Sequence, residues 1–278
     1  MEKIKKYFGN IEMSWIKVIV FAVVTAVYTA LINQIPFLNG TSFQDIAINF
    51  ECWILFAVFI IVNCKKWWEA SLKCFVFFLV SQPLIYLIEV PFVGWDVFDY
   101  YKYWFVITLL TLPGAVAAYQ LKRKDWLSVA VLAVANCFLA YISVTYFQSA
   151  ISDFPKHLLS AVFCLALALF FVFVFFTEKK HIIVSVALIA VVFAATFFYT
   201  SFNRSQEITL NEGTWSVSVE DDSIAKVEMT DGNHAKVTAK HKGTTCVEFE
   251  NEKGEKVTYY ATVGGNSIYI NMFDDTSA

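Results

Sequence analysis

Five polar side chains fall inside long apolar stretches of the chain, where they could together form a ligand pocket. Gln82, Tyr86 and Glu89 follow one another at intervals of four and three residues, which places them on one face of a helix. The other two residues are Glu51 and Asn136. Polar groups within a membrane are energetically costly, so a functional role is the first hypothesis for them. A carboxylate-rich pocket would suit a cation, an amine or a sugar, and the sequence does not choose among these ligands.

Three ionisable residues in the connecting segments are predicted to lie near the opening of this pocket. Asp96 and Asp99 stand in an aromatic-rich segment that follows the Glu89 stretch, and His157 begins a later stretch. If successive stretches run in alternate directions, these residues share one side with Glu51 and Glu89. We therefore regard them as candidate loop contacts for a ligand.

Purely structural roles are the alternative for the pocket residues. Glu89 lies close enough to the end of its stretch to be solvated, and Glu51 could pair with a neighbouring helix. Gln82 and Asn136 belong to the residue types that join helices through hydrogen bonds within a membrane. The sequence leaves both interpretations open.

Signatures of known chemistry are missing from the sequence. No GxxxxGK[ST], GxGxxG, HExxH or GxSxG motif occurs, and the four histidines lack the spacing of metal ligands. We therefore predict no catalytic residue, no cofactor and no metal site. An enzyme that acts on envelope lipid or glycan stays open as an alternative function.

Membrane-spanning helices are the elements that would position these residues. The chain has 278 residues, of which 58% are hydrophobic and 16% are charged; soluble domains have about 45–50% and about 25%. A span needs about 20 mainly apolar residues, and seven stretches are long enough. They are residues 14–32, 46–64, 71–90, 103–119, 126–147, 157–176 and 182–200.

Two sequence features predict how the spans pack and bend. Small residues at helical spacing mark faces where helices approach closely. Such stripes are Ala22, Ala26 and Ala30 in the first span and Ala187, Ala190 and Ala194 in the last. Pro83 and Pro113 fall within the third and fourth spans, and each is predicted to kink its helix.

Basic residues are distributed unevenly between the two ends of these spans. The segments at one end carry Lys3, Lys5, Lys6, Lys65, Lys66, Lys73, Lys122, Arg123, Lys124, Lys179 and Lys180. The opposite segments carry only Lys102 and Lys156. Because basic segments stay in the cytoplasm, the N-terminus is predicted to be inside. Seven spans then place the C-terminal region outside the cell.

Residues 203–278 form a region of a different kind. They hold 7 lysines and arginines against 13 aspartates and glutamates, a net charge of −6, which argues against nucleic-acid binding. Short segments of alternating polarity, separated by turn residues, predict an all-β sandwich. The predicted strands are residues 207–210, 215–219, 225–229, 235–239, 244–249, 256–263 and 267–271. The predicted core residues are Trp215, Val227, Val237, Val247 and Phe249.

Several of these segments resemble bacterial immunoglobulin-like domains of group 2. The similar runs are WSVS at 215–218, DSIAKV at 222–227, AKVTAKHKGTT at 235–245 and YYATV at 259–263. The resemblance covers about residues 208–263. It implies a bacterial cell-surface module, often an adhesive or spacer unit, and it implies no catalytic residues.

The predicted fold class is a membrane all-α bundle of seven transmembrane helices, N-terminus in and C-terminus out, followed by a small all-β immunoglobulin-like sandwich. The predicted domains are residues 1–202 and 203–278. The leading hypothesis is a multi-pass protein of the bacterial cell membrane that serves as a scaffold or binding protein. Its expected partners are the lipid bilayer and an envelope protein or glycan that contacts residues 203–278. Transport of a small solute or ion through an outward-facing acidic pocket is the alternative.

Overall fold

A computed structural model describes residues 6–9, 11–152, 154–202, 205–211, 213–264 and 267–272. The chain divides into two compact units, Met1–Phe193 and Ala194–Ala278, and each is described by itself. The boundary between residues 202 and 203 stays a prediction, and residue 203 lies outside the described range.

The first unit is built from apolar helices. The described α-helices from residue 15 onward are α1 (Trp15–Asn33), α2 (Ser42–Ile48), α3 (Phe50–Val62), α4 (Trp67–Val93), α5 (Phe98–Tyr119), α6 (Trp126–Ser152), α7 (Leu158–Phe175) and α8 (Lys179–Phe202). Among the described residues, six helices are long and apolar enough to cross a membrane, and a seventh crossing results if α2 and α3 form one span. The predicted membrane helices are therefore confirmed.

The second predicted span, residues 46–64, is not a single continuous helix. It corresponds to α2 and α3, which meet at a 45° bend. Asn49 stands at the bend with extended backbone angles, φ −90° and ψ 171°. Its N–H still donates to the Asp45 carbonyl at 2.9 Å. The proline signals do not mark this break, since Pro83 and Pro113 lie within the uninterrupted helices α4 and α5.

Small side chains on α1 pack against neighbouring residues, as predicted. Ala22, Ala26 and Ala30 are completely buried, as close packing of membrane helices requires. The stripe predicted on the last span is wrong, because Ala187, Ala190 and Ala194 are exposed. The described part of α8 instead buries the face of His181, Ser185 and Ile189.

The second unit carries an antiparallel β-sandwich. Its strands are β1 (Ser205–Thr209), β2 (Trp215–Val219), β3 (Ala225–Met229), β4 (His234–Ala239), β5 (Gly243–Asn251), β6 (Lys256–Gly264) and β7 (Ser267–Met272). One sheet has the order β1-β4-β3, and the other has the order β2-β5-β6-β7. The predicted all-β fold is confirmed, with strand limits within two residues of those predicted.

The core of the sandwich contains the predicted apolar residues. Val237, Val247 and Phe249 are fully buried, and Trp215 is 5% exposed. Val227 packs against this core from a half-buried position. The Trp215 indole also donates from Nε1 to the Asn211 carbonyl at 2.9 Å, so its polar atom is satisfied at the edge of the core.

Candidate functional site

A cavity of about 390 Å³ opens between the ends of α1, α4 and α5 and the bend between α2 and α3. It is lined by Thr29, Asn33, Ile48, Asn49, Trp53, Gln82, Ile85, Tyr86, Glu89, Val97, Tyr100 and Trp104. The volume lies in the range of small-molecule sites. Three of the five predicted pocket residues, Gln82, Tyr86 and Glu89, therefore share one cavity.

A chain of hydrogen bonds holds the Glu89 carboxylate in the cavity wall. The Asn33 amide donates from Nδ2 to Glu89 Oε1 at 2.8 Å. Gln44 Nε2 donates in turn to Asn33 Oδ1 at 3.0 Å, and the Gly40 N–H donates to Gln44 Oε1 at 2.8 Å. Glu89 is 3% exposed. Its position is therefore set from three segments: α1, α2 and the loop between them.

Aromatic side chains make up much of the remaining wall. Trp53 and Tyr86 are buried, Trp104 is half-buried and Tyr100 is exposed at the cavity opening. Trp104 packs on Phe50 with ring centroids 4.6 Å apart. This contact limits the rotamers that Trp104 can adopt in the cavity wall.

Gln82 lies on the same face of α4, deeper in the bundle. Its side chain is 2% exposed, and its Nε2 has no hydrogen-bond partner among the described residues. A buried amide donor without a partner costs free energy. One residue of the cavity lining therefore carries a polar group without a partner in the described structure.

A second polar cluster lies beside the cavity and joins α2 to α7. Asp45 Oδ2 contacts His157 Nδ1 at 2.7 Å and accepts from Ser160 Oγ at 2.9 Å. The Ser160 N–H also donates to Ser42 Oγ at 3.2 Å. His157 stacks on Tyr146 of α6, with ring centroids 6.2 Å apart and planes 10° apart. This cluster fixes the start of α7 against α2.

Asn49 links the second cluster to the cavity. It lines the cavity and donates from Nδ2 to the Tyr146 hydroxyl at 2.6 Å. The side chain at the helix bend therefore shares the cavity with Glu89 and hydrogen-bonds to Tyr146, which stacks on His157.

The other two predicted pocket residues lie outside the cavity lining. Glu51 is completely buried, and neither carboxylate oxygen has a hydrogen-bond partner among the described residues. Asn136 is 1% exposed, and both polar atoms of its amide also have no partner in the described structure. Glu51 and Asn136 therefore do not belong to the cavity that Gln82, Tyr86 and Glu89 line.

The three residues predicted as loop contacts lie in different places in the structure. Asp99 is exposed and forms an ion pair with Lys102 at 2.7 Å. Asp96 is exposed in the short turn Trp95–Val97, which borders the cavity through Val97. His157 belongs to the second cluster described above. None of these three side chains lines the cavity as the structure describes it.

Aspartate side chains in two turns of the β unit form hydrogen bonds with residues of the same turn. Asp221 Oδ1 accepts from the Ser223 hydroxyl at 2.6 Å and from the Ser223 N–H at 2.9 Å. These two hydrogen bonds lower the pKa of the Asp221 carboxyl. Asp231 Oδ1 lies 2.8 Å from His234 Nδ1, and this contact lowers the pKa of Asp231. These carboxylates stabilise their own turns.

Sequence reasoning missed several residues of both polar groups. Neither the residue types nor the spacing singles out Asn33, Gln44, Asp45, Asn49 or Tyr146. Each lies near the end of an apolar stretch, on the side predicted for Glu89 and His157. That shared position was the available signal. Within the described residues, no group of three or more histidine, cysteine, aspartate or glutamate side chains is arranged to hold a metal ion.

Comparison with known proteins finds a family match in the C-terminal part of the chain. Residues 199–262 are similar to the family described as the pilus formation protein N-terminal region. No curated protein and no solved structure matches the chain significantly. The match supports a bacterial all-β module. The more specific resemblance to immunoglobulin-like domains of group 2 stays a prediction. The matched residues do not include the first seven helices.

Proposed function

We propose that this chain is a bacterial cell-envelope protein whose helices anchor a β domain at the outer face of the cytoplasmic membrane. The domain would bind an envelope protein there. The observation that carries the proposal is the union, in one chain, of membrane-type helices with a segment similar to the pilus formation protein N-terminal region. A domain of that kind, held at a membrane, is suited to an assembly role in the envelope.

The arrangement of lysines supports an outward orientation of the cavity end. α1 has 19 residues, so it is about 28 Å long at 1.5 Å per residue. Asn33 at its C-terminal end contacts Glu89 in the cavity. Lys17 at its N-terminal end donates to the Glu12 carbonyl at 3.0 Å, and Lys65 pairs with the Glu12 carboxylate at 2.8 Å. The basic end of the bundle is thus opposite the cavity, as the positive-inside rule requires for an outward-facing cavity.

The outer face of the four-stranded sheet is the best candidate contact surface of the β domain. Tyr260 is the only large apolar side chain among the described strand residues that is well exposed, at 42%. It pairs in register with Cys246 of β5, on the face opposite the core residue Val247. Exposed tyrosines are over-represented among the residues that dominate protein interfaces. We therefore place the partner contact around Tyr260.

Thiol labelling tests the proposed orientation. Glu252→Cys introduces a thiol in the exposed turn between β5 and β6, and Lys66→Cys introduces one at the basic end of the bundle. In spheroplasts, a membrane-impermeant maleimide is expected to label Glu252→Cys at once and Lys66→Cys only after permeabilisation. The unsubstituted chain, with its six native cysteines, gives the background. The opposite pattern of labelling would overturn the outward placement of the β domain.

Site-specific photo-crosslinking tests the binding role. A benzoylphenylalanine at position 260 of the full-length chain is expected to give one discrete adduct with an envelope protein in living cells. The same probe at Lys226, which is exposed on the other sheet, is the matched control and should give none. An adduct of the same size from both positions, or from neither, contradicts a partner contact centred on Tyr260. A glycan adduct would replace the proposed protein partner.

A further inference from the structure

The wall of the cavity combines one carboxylate with four aromatic side chains. Glu89 stands with Trp53, Tyr86, Tyr100 and Trp104 in the lining. Aromatic rings carry a negative face that attracts cations, and clusters of them recognise quaternary ammonium groups. Apolar walls would equally accept a neutral ligand. The charged groups of the lining therefore decide whether a cationic or a neutral ligand is favoured.

Glu89 is the one carboxyl group of the described lining, and no basic side chain there pairs with it. The lining residues that the structure describes include no lysine, arginine or histidine. The hydrogen bond to Glu89 comes from the neutral Asn33 amide and occupies Oε1, so Oε2 has no partner among the described residues. A carboxylate held in this way attracts a positively charged group.

Gln82 supplies a second, independent requirement on the ligand. Gln82 is a lining residue of the cavity, and its Nε2 donor is buried and has no hydrogen-bond partner in the described structure. Buried polar groups are nearly always satisfied in folded proteins. An acceptor oxygen on a bound molecule would satisfy this donor, whereas a bare inorganic cation would not.

We infer that this cavity binds a small organic ammonium compound that carries a hydroxyl or carbonyl oxygen. The ammonium group would lie among the aromatic side chains beside Glu89, and the oxygen would accept from Gln82. The inference goes beyond the display role of the β domain and depends only on the residues that line the cavity. A failed test of the orientation of that domain would therefore leave this inference unaffected, and the reverse also holds.

Equilibrium binding of tritiated choline to the purified full-length chain in lipid nanodiscs tests the inference. Choline and acetylcholine carry the proposed ammonium group with a hydroxyl or a carbonyl oxygen. Their uncharged carbon analogues, 3,3-dimethylbutan-1-ol and 3,3-dimethylbutyl acetate, have nearly the same shape. We expect saturable choline binding that acetylcholine displaces and that neither neutral analogue displaces. Absence of saturable binding, or equal displacement by the neutral analogues, would overturn the proposal.

Matched variants place the binding in this cavity. Glu89→Gln keeps the shape of the side chain and an oxygen for the Asn33 donor but removes the charge, and it should weaken choline binding about tenfold or more. Trp104→Leu should weaken binding without a change in charge, and it replaces Glu89→Gln as the test if that variant is not monodisperse. Asp99→Asn removes an exposed carboxylate outside the lining and should bind like the parent chain. Unchanged affinity in both cavity variants contradicts the site.

Discussion

Replacing Asp45 by alanine is expected to lower the free energy of unfolding of the membrane helices by about 3 kcal/mol. Asp45 is buried, and one of its oxygens contacts both His157 Nδ1 and Ser160 Oγ. The alanine variant removes the partner of His157 Nδ1 and leaves Ser160 Oγ with only its longer contact to the Ser42 carbonyl at 3.4 Å. It also removes the contact that fixes the start of α7 against α2. Unfolding in mixed detergent micelles, followed by circular dichroism, measures the change.

Asp99→Ala is the matched control for this prediction. Asp99 also pairs with a basic side chain at 2.7 Å, but both Asp99 and Lys102 are exposed. Exposed ion pairs contribute about 0–1 kcal/mol, so this variant should unfold close to the parent chain. If the two variants lose the same stability, the Asp45 cluster is not a buried structural contact and our account of the α2–α7 junction is wrong.

The sequence predicts elements here better than it predicts which side chains meet. Strands such as β5 follow from alternation and flanking turns, and long apolar stretches identify membrane helices. Ala22, Ala26 and Ala30 pack as their spacing predicts. The failure at Ala187 and Ala190 shows the limit of that signal. Spacing defines a face of a helix, but the neighbouring helices decide which face is covered.

The candidate site illustrates the same limit. Gln82, Tyr86 and Glu89 share a cavity because they lie on one continuous helix, where local spacing fixes their common face. Glu51 lies on a helix that starts after the bend at Asn49, so its direction depends on tertiary packing. No proline or glycine marks that bend. Its extended backbone is accompanied by a hydrogen bond to Tyr146, 97 positions away in sequence.

Replacing Phe249 by alanine is expected to destabilise the β-sandwich by about 3–5 kcal/mol, the range for removal of a large core aromatic. Phe249 is fully buried on β5 and contacts Tyr259 of β6 edge to face, with centroids 5.7 Å apart. Small domains have only a few kcal/mol of net stability. The variant should therefore leave much of the sandwich unfolded at 37 °C.

Hydrogen exchange measured by mass spectrometry on the full-length chain separates this effect from the helices. Peptides from β2, β5 and β6 should lose most of their protection in Phe249→Ala, while peptides from α1 and α4 should not change. Glu248→Ala alters the neighbouring residue, whose side chain is exposed, and should keep the protection of the parent chain. Loss of protection in α1 and α4 as well would show that the helices need the folded sandwich. Unchanged protection in β5 would mean that Phe249 is not part of the core.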